Sequence, residues 1–232
     1  MCGIVGYIGD KDCFPILIKG LQRLEYRGYD SAGVAVFDGK DAIQVRKKKG
    51  KVEDLLAFVG DDLPTGSMGI GHTRWATHGP PNDVNAHPHT ARFGRLAMIH
   101  NGIIENYESL RTSLEANGHA FVSDTDTEVL IHLIDEVQSR TNTSITDAVQ
   151  MALKEVEGAY AIAIIDANEP DLLIAARKSS PLVIGVGEEN EFYIASDATP
   201  IIEHTQNVIY LDDEEVAVMH RQDGLTIRNL QN

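Results

Sequence analysis

Cysteine stands second in the chain, in the opening MCGIVGYIG, with a glycine behind it and an apolar strand starting at once. Chain ends fray and tolerate change, so a reactive side chain at this position is either an accident or the purpose of the molecule. A second concentration of chemistry lies at residues 72–106, HTRWATHGPPNDVNAHPHTARFGRLAMIHNGIIEN, which hold five of the nine histidines, the one tryptophan, Arg74 and the pair Asn101-Gly102 just past an expected strand. Polar and aromatic groups held at strand ends are the usual dress of a functional loop. Metal binding is not expected here. Pro88 separates His87 from His89 without placing both rings on one helical face, and no cysteine pair has ligand spacing.

The elements that must position these groups read mainly as strands. Short apolar runs at Ile4–Ile8, Ala32–Phe37, Ile43–Lys47, Met68–Gly71, Leu96–Ile99, Tyr160–Asp166, Leu172–Ala176, Leu182–Val186, Phe192–Ala195, Val208–Tyr210, Val216–Met219 and Leu225–Arg228 predict twelve. Helices are expected at Pro15–Leu24, Val52–Val59, Tyr107–Asn117, Thr127–Ser139 and Ile145–Val156, the fourth opening with the capping-box pattern Thr125-x-x-Glu128. Strands come in consecutive groups with pairs of helices between them. That order predicts α+β with mostly antiparallel sheets, and with no long linker or repeat in view, one domain over residues 1–232.

Bulk properties narrow the function. The 232 residues carry a formal net charge of −15, which argues against a nucleic-acid partner. The basic run Arg46–Lys51 is expected to be a solvated turn, and the acidic run Asp212–Glu215 reads the same way. Two cysteines close in sequence make no disulfide framework, no run approaches membrane-spanning length and no secretory signal opens the chain, so a cytoplasmic protein without a membrane partner is expected.

The segments MCGIVGYIG, LEYRGYDSAG, HTRWATHG, NAHPH, HNGIIEN and SDTDTEV together resemble the glutamine-hydrolysing domain of the glutamine–fructose-6-phosphate aminotransferases (glucosamine-6-phosphate synthases), within the class II, N-terminal-nucleophile amidotransferases. The match runs in register from Cys2 to at least Ser196. It implies a four-layer αββα sandwich of two mostly antiparallel sheets flanked by helices, the N-terminal nucleophile hydrolase fold. It implies L-glutamine as substrate, hydrolysed to glutamate and ammonia through a γ-glutamyl thioester, with no cofactor and no metal. In the full-length enzyme a C-terminal sugar-isomerase domain receives the ammonia and aminates fructose 6-phosphate; a homodimer of that enzyme stays open. The chain reaches Asn232 without a segment like that region, so hydrolysis without glucosamine 6-phosphate formation is expected. Two rivals are the glutaminase domain of another class II enzyme, such as glutamine phosphoribosylpyrophosphate amidotransferase, and a non-catalytic binding or regulatory module of the same fold.

The resemblance assigns roles that the residue types can bear. With Met1 removed, Cys2 is nucleophile and terminus together. Its α-amine, with an ordinary pKa of about 7.7–8.0, can take the thiol proton and pass it to departing ammonia. Gly3 is expected to let the backbone turn without crowding the sulfur, and Cys13 belongs to the core. Asn101 and Gly102 form the oxyanion hole through a side-chain amide and a backbone N–H, the alternative being an Asn-Gly hairpin turn. Arg74 suits the α-carboxylate and Asp126 the α-ammonium, although Asp126 would also stabilise a helix start. Thr77 and His78 add hydrogen bonds around the substrate, and Trp75 belongs to a flap that closes over it. Arg27 and Gly28 lie near the nucleophile, favouring the thiolate and orienting the amine; a structural salt bridge explains Arg27 equally well.

Overall fold

A computed structural model describes residues 1–231. Thirteen strands form two sheets, and every pairing between them is antiparallel. The first sheet holds β1 (Gly3–Ile8), β2 (Ser31–Phe37), β3 (Gln44–Lys49), β4 (Met68–Arg74), β9 (Val183–Val186), β10 (Phe192–Ala195) and β11 (Val208–Tyr210), in the order β11-β9-β10-β1-β4-β2-β3. The second holds β5 (His89–Ala91), β6 (Leu96–Ile104), β7 (Gly158–Asp166), β8 (Leu172–Lys178), β12 (Glu215–His220) and β13 (Gly224–Asn229), in the order β13-β12-β8-β7-β6-β5. Helices α1 (Cys13–Leu24) and α2 (Val52–Val59) cover the first sheet, and α3 (Tyr107–Ala116), α4 (Asp126–Thr141) and α5 (Ile145–Lys154) the second.

Period-two alternation sorts each strand between two apolar layers. In β1, Val5 and Tyr7 pack with α1 while Ile4 and Ile8 face the opposite sheet. In β7, Ile162 and Ile164 meet α4 and α5, while Ala161, Ala163 and Ile165 enter the seam between the sheets. Both faces of both sheets are therefore buried, which makes the four-layer αββα sandwich that the resemblance implies.

All twelve expected strands and five expected helices form, most with shifted ends. The structure corrects four readings. Asn101-Gly102 is neither a turn nor past a strand: β6 runs on to Ile104, with Asn101 opposite Ala161 and Gly102 opposite Tyr160 in β7. The basic run is not a solvated turn as far as Lys49, because Arg46–Lys49 complete the edge strand β3. Lysines and arginines suit an exposed sheet edge, and Lys47 Nζ turns inward to donate to the carbonyls of Val84, Ala86 and Pro88. Gly3 is extended within β1, and what it avoids is not the sulfur: a Cβ there would stand 2.6 Å from Thr73 Oγ1. The capping box is half made. Thr125 Oγ1 accepts from Glu128 N–H, but the Glu128 carboxylate accepts from the N–H groups of Val122 and Ser123 rather than from Thr125. Among the described residues no helix is long and apolar enough to cross a membrane.

Candidate active site

Three strands carry the seam between the sheets toward one end, and there their inward residues change character. Ile8 and Ile4 of β1 give way to Cys2 on the same side of the chain; Met68 and Ile70 of β4 are followed by His72 and Arg74; Ala97 and Ile99 of β6 by Asn101. The seam thus ends in a polar patch drawn from both sheets. Around it lies a cavity of about 350 Å³, lined among others by Met1, Cys2, Arg27, Arg74, Trp75, Thr77, Asn101, Gly102 and Asp126, a size suited to a small ligand. Eight of the ten expected site residues share this wall. Gly28 and His78 stand just behind it.

The pairing of β1 with β4, Gly3 opposite Thr73, carries Cys2 alongside the Arg74–Trp75 junction. Cys2 Sγ accepts the Trp75 N–H at 3.0 Å and lies 3.4 Å from the Trp75 carbonyl. Burial pushes the thiol pKa up, and the Trp75 N–H pulls partly against it. A buried thiol of that kind needs a proton acceptor before it can attack. The terminal ammonium of Met1 donates to the Arg27 carbonyl at 2.5 Å. The Arg27 guanidinium donates to Ser196 Oγ at 3.0 Å and pairs with Asp197 at 3.3 Å, and the same Ser196 hydroxyl accepts from Ile4 N–H. The local salt bridge that explains Arg27 equally well is thus present. Gly28 has φ +104, and a Cβ there would stand 3.0 Å from Trp75 Cε3, so the glycine makes room for the indole.

From the other sheet, Asn101 Nδ2 donates to the Cys2 carbonyl at 3.1 Å, which leaves its second N–H free. Gly102 has φ +117, and a Cβ there would stand 2.1 Å from the Ala159 carbonyl, so only glycine fits. Arg74 is buried, and its guanidinium donates to the carbonyls of His78, Gly79 and Pro80. Among the described residues no carboxylate lies within salt-bridge distance of it. A buried cation lacking an anion is a place for an anionic ligand group. Asp126, the first residue of α4, fixes one oxygen on the Ile104 N–H at 2.8 Å and holds the other 3.8 Å from His78 Nδ1. Thr77 Oγ1 is 3.4 Å from the same His78 nitrogen. Trp75 is half-exposed at the rim.

Several residues to which the sequence assigned no place in the site also shape it. His87, His100, Thr125, Thr127, Ser180 and Pro181 line the cavity. Behind it, Thr127 Oγ1 lies 2.7 Å from His87 Nε2 and 2.9 Å from His100 Nδ1, while His100 Nε2 donates to the Ala159 carbonyl. His72 Nε2 lies 2.9 Å from Asn101 Oδ1. His72, His87, His89 and His100 are all buried, and burial lowers the pKa of each, for His72 to about 3. They are neutral rings. Strand alternation was the available signal, since His72 follows Met68 and Ile70 on one face. The described residues include no group of three or more histidine, cysteine or acidic side chains disposed to hold a metal.

Comparison with known proteins agrees with this geometry. Residues 61–227 match the family described as glutamine amidotransferase domain. The chain is 57% identical over its whole length to glutamine–fructose-6-phosphate aminotransferase (isomerizing) of Bacteroides thetaiotaomicron, and covers 38% of that protein. It is 49% identical over 98% of its length to the enzyme of that name from Thermococcus kodakarensis, covering 37% of it. Among solved structures, glutamine phosphoribosylpyrophosphate amidotransferase from B. subtilis superposes with a TM-score of 0.85 at 26% identity, over 99% of this chain and 49% of that one. The chain therefore spans well under half the length of the curated relatives it matches.

Proposed function

The chain belongs to the glutamine amidotransferase domain family, and on that premise we propose that residues 1–232 form one domain that hydrolyses L-glutamine to glutamate and ammonia. What supports this most is the convergence on one cavity of a nucleophile, an amide donor, an unpaired cation and a carboxylate: Cys2, Asn101, Arg74 and Asp126. In the reaction, removal of Met1 frees the α-amine of Cys2. That amine takes the thiol proton, and Sγ attacks the γ-carbonyl of glutamine. The oxygen becomes negative facing the free N–H of Asn101 and the backbone N–H of Gly102; losing one such donor typically costs about 2.7–4 kcal/mol in the barrier. The protonated amine gives its proton to the departing ammonia, and a thioester forms on Cys2. Water, activated by the same amine, then releases glutamate.

Arg74 takes the α-carboxylate and the open oxygen of Asp126 the α-ammonium, so the zwitterion is read at both charges. Thr77 and His78 support that end, and Trp75 closes over the bound substrate. Arg27 and Gly28 hold the loop beside the terminus, where Arg27 favours the thiolate and Gly28 orients the amine. Joined to a sugar-isomerase region, such a domain would pass ammonia to fructose 6-phosphate. The chain's higher identity to the fructose-6-phosphate enzymes favours that acceptor over phosphoribosylpyrophosphate. The same reading places the protein in the cytoplasm.

Glutamate release from glutamine, compared between the chain and Cys2→Ala, tests the reading, with intact mass showing whether Met1 has gone. Release by the processed chain and none by the variant is expected. Equal rates would overturn the proposal.

A further inference from the structure

Asn101 can act as a donor only with its amide nitrogen, not its oxygen, toward the nucleophile. The two ends of a carboxamide are nearly the same size, and rotating it would aim lone pairs at the place where negative charge develops. Nδ2 lies 3.1 Å from the Cys2 carbonyl, which can only accept, so nitrogen belongs on that side. Oδ1 then needs a donor on the other side. The one in place is Nε2 of His72, 2.9 Å away. His72 is fully buried in β4; its Nδ1 meets no partner at hydrogen-bond geometry, and the pull of the His100 backbone on the ring is weaker than that of Asn101, so the neutral ring spends its single N–H on Asn101. Burial keeps the ring in that one-proton form, with its pKa near 3. The reverse arrangement would strand an N–H at Nδ1 and set Asn101 Oδ1 against the Cys2 carbonyl, two unpaired contacts in place of one bare lone pair.

We propose that His72 is a positioning residue that locks the Asn101 side chain, through an Nε2–H···Oδ1 hydrogen bond, with its N–H groups toward the nucleophile. The inference rests on the reading of Asn101 as an oxyanion donor. His72 touches no substrate. It acts by removing a rotation that would otherwise turn a stabilising group into a repelling one, and its contribution belongs to the transition state rather than to glutamine binding.

Two variants and one spectroscopic measurement test this. His72→Leu removes the donor, whereas His72→Gln returns an N–H near the reach of Nε2. For His72→Leu we expect kcat for glutamine hydrolysis to fall about 30-fold or more while KM stays within about threefold. His72→Gln should recover about tenfold of that loss. A folded His72→Leu with unchanged kcat, or a folded His72→Gln no better than it, overturns the proposal. In the unsubstituted protein, ring ¹⁵N shifts, assigned by the signal lost in His72→Gln, should show Nε2 protonated and Nδ1 bare. The opposite tautomer overturns the proposal even where His72→Leu fails to fold. Cys2→Ala in the same assay keeps the questions apart: equal glutamate release from it and the parent chain refutes hydrolysis, and the tautomer still decides the role of His72.

Discussion

The buried imidazoles make acid the weak point of this fold. In an unfolded chain a histidine takes up a proton near its ordinary pKa of 6.5, but His72 in the folded protein resists until about 3. Between those values the unfolded chain binds a proton that the folded chain does not, so lowering the pH favours unfolding. The stability that His72 contributes is complete above pH 6.5 and drains away as the pH falls toward the folded value. From about pH 7.5 to about pH 5.5 that one ring removes about 1.4 kcal/mol, a large share of a typical stability of about 5–15 kcal/mol. His87, His89 and His100 are shifted in the same direction by the same burial and add to the loss. Urea unfolding at the two pH values measures it, as midpoint times slope. The fall should exceed about 1.4 kcal/mol, and His72→Gln should give back about that amount of the difference between the two conditions. Equal stability at both pH values, or a His72→Gln protein with the parent's pH dependence, would refute the reasoning.

Gly102→Ala should destabilise the chain by more than about 1 kcal/mol, because φ is +117 and the new Cβ meets the Ala159 carbonyl; thermal unfolding reads this, and glutaminase activity should fall with it. Arg74→Ala should raise KM for glutamine by about 10- to 150-fold, the worth of about 1.5–3 kcal/mol in charged hydrogen bonds, with Arg74→Lys between the two in steady-state kinetics. Glu128 is pushed upward by burial, but the His132 ring 3.6 Å away and hydrogen bonds from Ser123 and Val122 outweigh this and hold its pKa below the usual 4.5. It therefore stabilises the fold above that value and loses its effect as acid protonates it, so melting temperatures of parent and Glu128→Gln should differ near neutrality and converge in strong acid.

Much of this architecture was legible because its strands are short, apolar and sharply bounded. Some helix stops were in view: Gly118, with φ +92, follows α3. What escaped notice were strand residues without strand character. His89–Ala91 sits in a stretch dominated by histidine and proline, yet it pairs with β6 because Leu96–Met98 offers it an edge. Asn101 and Gly102 are poor strand formers by type, and only their partners in β7 hold them extended. The candidate site was readable as far as its motifs went. Cys2, Arg74, Asn101 and Asp126 arrive together as the quoted segments suggested. The histidines behind them were visible as a cluster, but their burial was not, since a buried neutral imidazole and an exposed one look alike in a string of letters. Long-range burial decides between them, and no local pattern encodes it.

On the proposed reading Cys2 attacks from one sheet and Asn101 stabilises from the other, so the distance between them is a property of how far apart two walls stand. Ala97, Ala161, Ala163 and Ala175 occupy the gap and let the walls close. A methyl group added there, remote from any substrate, would act as a shim, and a displacement of about 1 Å at reacting groups can cost about 100-fold in rate. The proposed turnover would thus be hostage to the girth of the interior.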